Sequence, residues 1–349
     1  MARAAIKEEF PLVKDKIAEY GALTRTRLYD YLPDQEPRKY LYDLVAAYPE
    51  RASSMLRPAL LIAAAKAFGA EEEEALNTAA AVELMHNAML VHDDIEDLSE
   101  LRRGAPSLHR RAGVPLAMNA GDALSLLCFQ PLLANSSKLG IALTLKILEE
   151  ALETMFQSVE GQAWELGWRA DHVYDLDTSD YLRMITKKTA WYTAIFPCRA
   201  GALIGTKQEL DRDQFVQFGY FLGATFQIQD DILNVAGNRE IYSKDFAGDI
   251  VEGKRTLMLI HLFKNAPPRH LIRLKEYFAL TYAERRKESV AWILKMMEQH
   301  GSIEFSRSCA RRYAGAALFE FSRAFDEAGE SEDGRFIEAL VLHALERKV

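Results

Sequence analysis

Apolar residues in this chain recur at helical spacing almost from end to end. Ile6, Phe10, Val13, Ile17 and Tyr20 fall close to a 3.6-residue period, which predicts an amphipathic first helix over residues 4–31. Pro33 and Pro37 interrupt it. The same pattern predicts helices near 38–48, 57–68, 72–98, 115–134, 138–167, 178–204, 211–237, 252–264, 271–299 and 302–327, with a short closing helix at 333–347. Gly69, Gly113, Gly140 and Gly301, with Pro106, Pro267 and Pro268, mark the breaks. Segment 238–251 is the least helical and most polar part of the interior, and is expected to be a loop that orders on substrate binding. The expected fold is all-α: a single-domain bundle, residues 1–349, of ten or more helices around a central cavity.

Composition narrows the function classes. With 49% hydrophobic residues the chain can bury a large core, and no Gly/Ser/Pro-rich linker or composition shift divides it. A net charge of −8 argues against a general nucleic-acid binder. Cys128, Cys198 and Cys309 are scattered, with no CxxC, which suggests buried thiols in a reducing, cytoplasmic setting. Neither a signal peptide nor an apolar run of about 18 residues is evident, so no membrane span is expected.

Chemistry enters with two acidic pentads, Asp93-Asp94-Ile95-Glu96-Asp97 and Asp230-Asp231-Ile232-Leu233-Asn234. Each follows an apolar helical run, and residues i and i+4 share a helix face, which stacks Asp93 with Asp97 and Asp230 with Asn234. Carboxylates at the end of an apolar stripe are costly unless cations meet them. Oxygen-only ligands suit Mg²⁺, which commonly bridges a few carboxylates to substrate phosphates. Basic residues follow both pentads: Arg102 and Arg103 after the first, Lys244, Lys254 and Arg255 after the second. A single pentad is ordinarily a solvated helix face; two of one design, each with cations behind it, point to a diphosphate site.

These residues resemble the trans-isoprenyl diphosphate synthases, the polyprenyl synthetase family, and within it the geranylgeranyl diphosphate synthases. His92 through Asp97 with Arg102-Arg103-Gly104 is similar to that family's first aspartate-rich motif, and Phe226 through Leu233 to its second. Leu56-Arg57-Pro58, Glu83 through His86, Gly121 through Leu124, Gly161-Gln162, Lys188-Thr189, Lys244, Asp249 and Gly253 through Thr256 follow in family order. The resemblance implies an isoprenoid synthase fold and a homodimer. It implies that Asp93, Asp97 and Asp230 hold three Mg²⁺ against an allylic diphosphate, with Asp94 and Asp231 in the same catalytic motifs. Arg102, Lys188, Lys254 and Lys244 would grip that diphosphate. Arg57, His86 and Arg103 would hold isopentenyl diphosphate, and Thr189 and Gln227 would face the reacting carbon.

Two departures stand out. Ser54 replaces a family lysine beside Arg57, and Asn234 replaces the last aspartate of the second motif. Product length should be set along the helix of the first pentad, where one turn of about 5.4 Å approximates one isoprene unit. Ala88, Met89 and Met85 occupy the expected floor and none is aromatic, which favours C20 and leaves C25 or longer open. Met155, Phe156 and Val159 could supply a deeper floor, while Trp164, Trp168, Trp191 and Tyr192 are read as core, and Arg347 and Lys348 as a charged tail. A class I terpene cyclase would not need Arg57, His86 and Arg103, and a non-catalytic partner subunit would not need both pentads.

Overall fold

The computed structural model describes residues 10–207, 211–237 and 247–347. Among the described residues the predicted helices are present, most with sharper ends; residues 4–9 of the first expected helix lie outside them. The main ones are α1 (Phe10–Tyr29), α2 (Leu56–Ala67), α3 (Glu72–Glu96), α4 (Val114–Leu127), α5 (Ile141–Ala170) and α6 (Thr178–Ile185). They continue with α7 (Phe196–Thr206), α8 (Val216–Ala236), α9 (Leu257–Asn265), α10 (Pro268–Ala279), α11 (Lys287–Gln299), α12 (Ser302–Phe325) and α13 (Glu332–Glu346). The helix expected over 271–299 is two, because Thr281 and Glu284 form a reciprocal capping box that starts a separate turn. The helix expected over 115–134 breaks at Cys128 into α4 and a short helix, Phe129–Ala134.

α3 shows how local chemistry sets a helix and loads its far end. Glu71 and Glu74 close a capping box, and Glu72, Glu73 and Glu74 sit at the positive end of the helix dipole. Its last turn and C-cap are Asp93 to Asp97, carboxylates at the negative end. That placement is unfavourable unless cations surround it.

A two-residue hairpin supplies one of those cations. Among the described residues the only sheet pairs β1 (Leu101–Arg102) with β2 (Ala105–Pro106). Its turn, Arg103-Gly104, has φ of 52° and 75°, the left-handed conformation that Gly104 adopts freely and Arg103 tolerates as a single residue. The hairpin aims Arg102 and Arg103 inward; the helical periodicity gave no sign of it.

Two apolar clusters form the core. One joins α1 to α5 with α7, α12 and α13; the other joins α6 and α9 to α12. α8 belongs to both, with Phe218 and Leu222 in the first and Ile228 and Ile232 in the second. Between α6 and α7 the chain widens into π-helix over Thr186–Ile195, and this stretch packs on α5 and α8. A π-bulge inside a helix commonly marks a functional position. The stretch Val114–Leu139 is apolar enough by length and composition to cross a membrane. It comprises α4 and two short helices, and α4 packs on α3.

Candidate active site

The ends of α3 and α8 bring Asp93 and Asp230 to one cavity of about 740 Å³. α5 and the π-helical stretch form its other walls, contributing Met155, Val159, Lys188 and Thr189. The two pentads therefore share a cavity, as their spacing and flanks predicted.

Within the first pentad the carboxylates divide by environment. Asp93 lines the cavity, with the Lys188 ammonium at 3.3 Å and Arg102 at 3.5 Å. Asp94 is fully buried behind it, accepting from Arg102 Nε at 2.9 Å and from the Tyr48 hydroxyl at 2.5 Å. Asp94 thus does not reach the cavity; it fixes the guanidinium that flanks Asp93. Asp97 is also buried, 2.8 Å from Arg169 and 2.6 Å from Lys254. Glu96 does line the cavity, receives the Gln162 amide, and has its carboxyl raised by burial.

The cations arrive paired. Lys188 lies 2.7 Å from Glu165; burial opposes its charge, but Glu165 and Asp93 outweigh that and raise its pKa. Lys254 is 2.7 Å from Glu252 and 3.7 Å from Asp249, and its pKa is likewise raised against its own burial. Sequence reasoning gave no role to Glu165 or Arg169. Buried charges need partners, so a count of cations near the first pentad implied further carboxylates without locating them.

Around the second pentad a hydrogen-bond chain sets orientations. Tyr181 donates to Asp231 at 2.7 Å, Gln227 Nε2 donates to Asp231 at 2.7 Å, and Thr189 donates to Gln227 Oε1 at 3.0 Å. Burial pushes the Asp231 carboxyl up to about 7, against these two bonds. Asp231 therefore orients Gln227 rather than standing free. Asn234 accepts the Asp249 backbone N–H at 3.2 Å, which gives this departure a structural use. Asp230 pairs with Arg347, whose guanidinium stacks 4.6 Å over Phe226, so this residue of the charged tail reaches the site. Lys244 and most of the predicted loop lie outside the described residues.

A second cationic flank faces the same cavity. Arg57 contacts Thr193 at 3.1 Å, Tyr192 at 3.2 Å and His86 at 3.4 Å. Arg103 is held by the Tyr48 carbonyl at 3.1 Å and by Asn87 at 3.2 Å. Ser54 lines this flank beside Arg57, and Tyr192, expected in the core, lines it too.

The three product-length positions separate in the same way. Met89 lines the cavity, whereas Ala88 and Met85 are buried in the core and absent from its wall. The turn that carries Met89 and Leu90 into the cavity turns Ala88 away from it.

The donors suit a hard divalent cation held jointly with phosphate. Asp93, Asp230 and Asp231 offer only oxygen, and among the described residues no three acidic, His or Cys groups converge as a preformed metal cage. Mg²⁺ ordinarily takes one or two carboxylates and completes its shell from substrate oxygens.

Comparison with known proteins agrees with this geometry. Residues 38–297 match the model of the polyprenyl synthetase family. A short chain isoprenyl diphosphate synthase of Methanothermobacter thermautotrophicus is 31% identical over 296 residues, 81% of this chain and 87% of that protein. The crystal structure of geranylgeranyl pyrophosphate synthetase from Pyrococcus horikoshii matches with a TM-score of 0.86 at 28% identity, covering 97% of this chain and 99% of that one. Polyprenyl synthase from Caulobacter crescentus, solved with calcium and isoprenyl diphosphate, matches at 0.83 and 25% identity, covering 99% of this chain and 98% of that one. The chain belongs to the polyprenyl synthetase family of trans-prenyltransferases and has its all-α isoprenoid synthase fold.

Proposed function

We propose that this enzyme condenses isopentenyl diphosphate head-to-tail with an allylic diphosphate, with C20 geranylgeranyl diphosphate as its main product. The observation that carries the reading is one cavity with two aspartate-bearing walls, a separate Arg57–His86–Arg103 flank and an apolar end at Met89, Met155 and Val159. Asp93, Asp97 and Asp230 would hold up to three Mg²⁺ ions, which supply Lewis-acid stabilisation of the departing diphosphate. Lys188 and Arg102 would hold the allylic diphosphate, and Lys254 would transfer to it from Asp97. Thr189 and Gln227 present oxygen to the allylic carbon as positive charge develops there, and the apolar walls exclude water that would quench it. The isopentenyl double bond attacks that carbon, and the departing diphosphate takes the proton. No protein nucleophile is needed.

The decisive experiment incubates the protein with Mg²⁺, labelled isopentenyl diphosphate and each allylic diphosphate in turn, and resolves the dephosphorylated products by length. A C20 product supports the reading; absence of any elongated product overturns it. A C25 product is the second reading, favoured by one observation: Val159, at the apolar end, is 65% exposed, so this chain alone leaves that end open. Ile141, Leu145, Leu152, Phe156 and Val159 form an exposed apolar stripe along α5, which supports assembly as a homodimer. Three buried free thiols support a reducing cytoplasmic setting.

Two variants test the finer assignments. Met89→Phe narrows the cavity one turn above Asp93 and should shorten the main product by at least one C5 unit, read by chromatography. Ala88→Phe should instead lower the melting temperature, because its ring has no cavity to enter. Unchanged product length in Met89→Phe places the tail elsewhere. Arg347→Gln removes the cation paired with Asp230 and should lower the Mg²⁺ concentration giving half-maximal turnover. An unchanged Mg²⁺ titration means that the pair costs metal binding nothing.

A further inference from the structure

The Arg57–His86–Arg103 flank is poor in positive charge for a diphosphate pocket. Arg57 and Arg103 are its fixed cations, and the buried Glu83 carboxylate lies 3.9 Å from Arg103. Ser53 and Ser54 line the wall beside Arg57, where a lysine could have stood. The lysines of the cavity, Lys188 and Lys254, are tied to carboxylates of the other flank.

His86 is the remaining group that can change its charge. Its Nε2 lies 3.4 Å from Arg57 Nη1, and a guanidinium can only donate, so Nε2 must accept and the ring is neutral with its proton on Nδ1. That Nδ1 is buried with no hydrogen-bond partner. The ring lies stacked on Tyr192, 5.8 Å between centroids, and lines the cavity. The charged groups that face it are Arg57 of α2, Arg102 and Arg103 of the hairpin, and Asp93 further along its own helix; Tyr192 is the titratable group of the π-helical stretch. Burial first, then the three arginines, hold its pKa well below the usual histidine value, against the weaker pull of Asp93.

We propose that His86 is a proton-accepting specificity residue of the isopentenyl diphosphate pocket: the incoming diphosphate draws Arg57 off Nε2, and the imidazole takes a proton from solvent there, supplying the cation that Ser54 does not. The inference rests on the proposed function, since it assumes that this flank receives the isopentenyl diphosphate. The sign follows from linkage. The complex binds more protons than the free protein, so affinity falls as pH rises between the free and bound pKa values of His86, by up to about tenfold per pH unit.

The test is calorimetric titration of the full chain with isopentenyl diphosphate near pH 7.5, in two buffers of different ionisation enthalpy. Wild type should take up protons, approaching about one per site, and its Kd should rise with pH. Ser54→Lys, at an exposed position that a lysine can occupy, should bind with less uptake and a flatter pH profile. His86→Gln should bind more weakly and show no proton uptake, only whatever release the diphosphate itself undergoes beside the arginines. Equal uptake in wild type and His86→Gln, or no reduction in Ser54→Lys, overturns the inference while leaving the acceptor site standing. Absence of any binding to wild type overturns both.

Discussion

Asp93→Ala is expected to reduce turnover at least about a thousandfold, some 4 kcal/mol of transition-state stabilisation, while the protein keeps its fold. Asp93 stands on the cavity wall between Lys188 and Arg102, where the proposed reaction would build charge on a leaving diphosphate. Its side chain is 21% exposed, so its loss leaves no sealed polar void. Asp94→Ala, one residue on, should behave differently. Asp94 is buried against Arg102 and Tyr48, so its removal strands a buried guanidinium and costs roughly 3–5 kcal/mol of stability. Steady-state kinetics and thermal melts of the two variants separate these roles. Turnover of Asp93→Ala within tenfold of wild type would remove Asp93 from the reaction.

Gly161→Ala should be the most damaging small substitution outside the acidic motifs. A Cβ at Gly161 would lie 2.2 Å from the Lys188 backbone nitrogen and 2.6 Å from its Cα. Backbone cannot rotate aside as a side-chain tip can, so the π-helical stretch must shift, at about 1–3 kcal/mol. That exceeds the gain of up to about 1 kcal/mol from alanine in a helix. Lys188 and Thr189 move with the stretch, and a displacement of about 1 Å at a reacting centre can cost on the order of a hundredfold in kcat. Gly167 on the same helix provides the control, since a Cβ there meets nothing within 4 Å. Gly167→Ala should leave turnover unchanged and raise the melting temperature slightly. Equal behaviour of the two variants would show that the close approach of α5 does not hold Lys188 in place.

The amino-acid sequence by itself determined the helices, the pairing of the pentads and the family. Helical periodicity and capping residues are local, and two acidic pentads followed by cations are readable in one dimension. Most of the residues that the sequence named line one cavity, but Asp94, Asp97, Ala88 and Met85 are buried off its wall and Lys244 lies outside the described residues. What it could not decide was the direction of each side chain. Asp93 and Asp94 are neighbours of equal chemistry, yet α3 turns about 100° per residue and sends one to the cavity and the other into the core. Ala88 and Met89 part for the same reason. Arg103 reaches its flank through a two-residue turn too short to carry a periodic signal. Arg169 and Arg347 meet the pentads only because distant helices pack there, and pairing across 70 to more than 100 positions leaves no mark in the local pattern; Glu165 acts on the first pentad only through Lys188, its partner 23 positions on. Charge compensation at the end of α3 is a tertiary property: the sequence showed that cations were required, and the packing chose which ones.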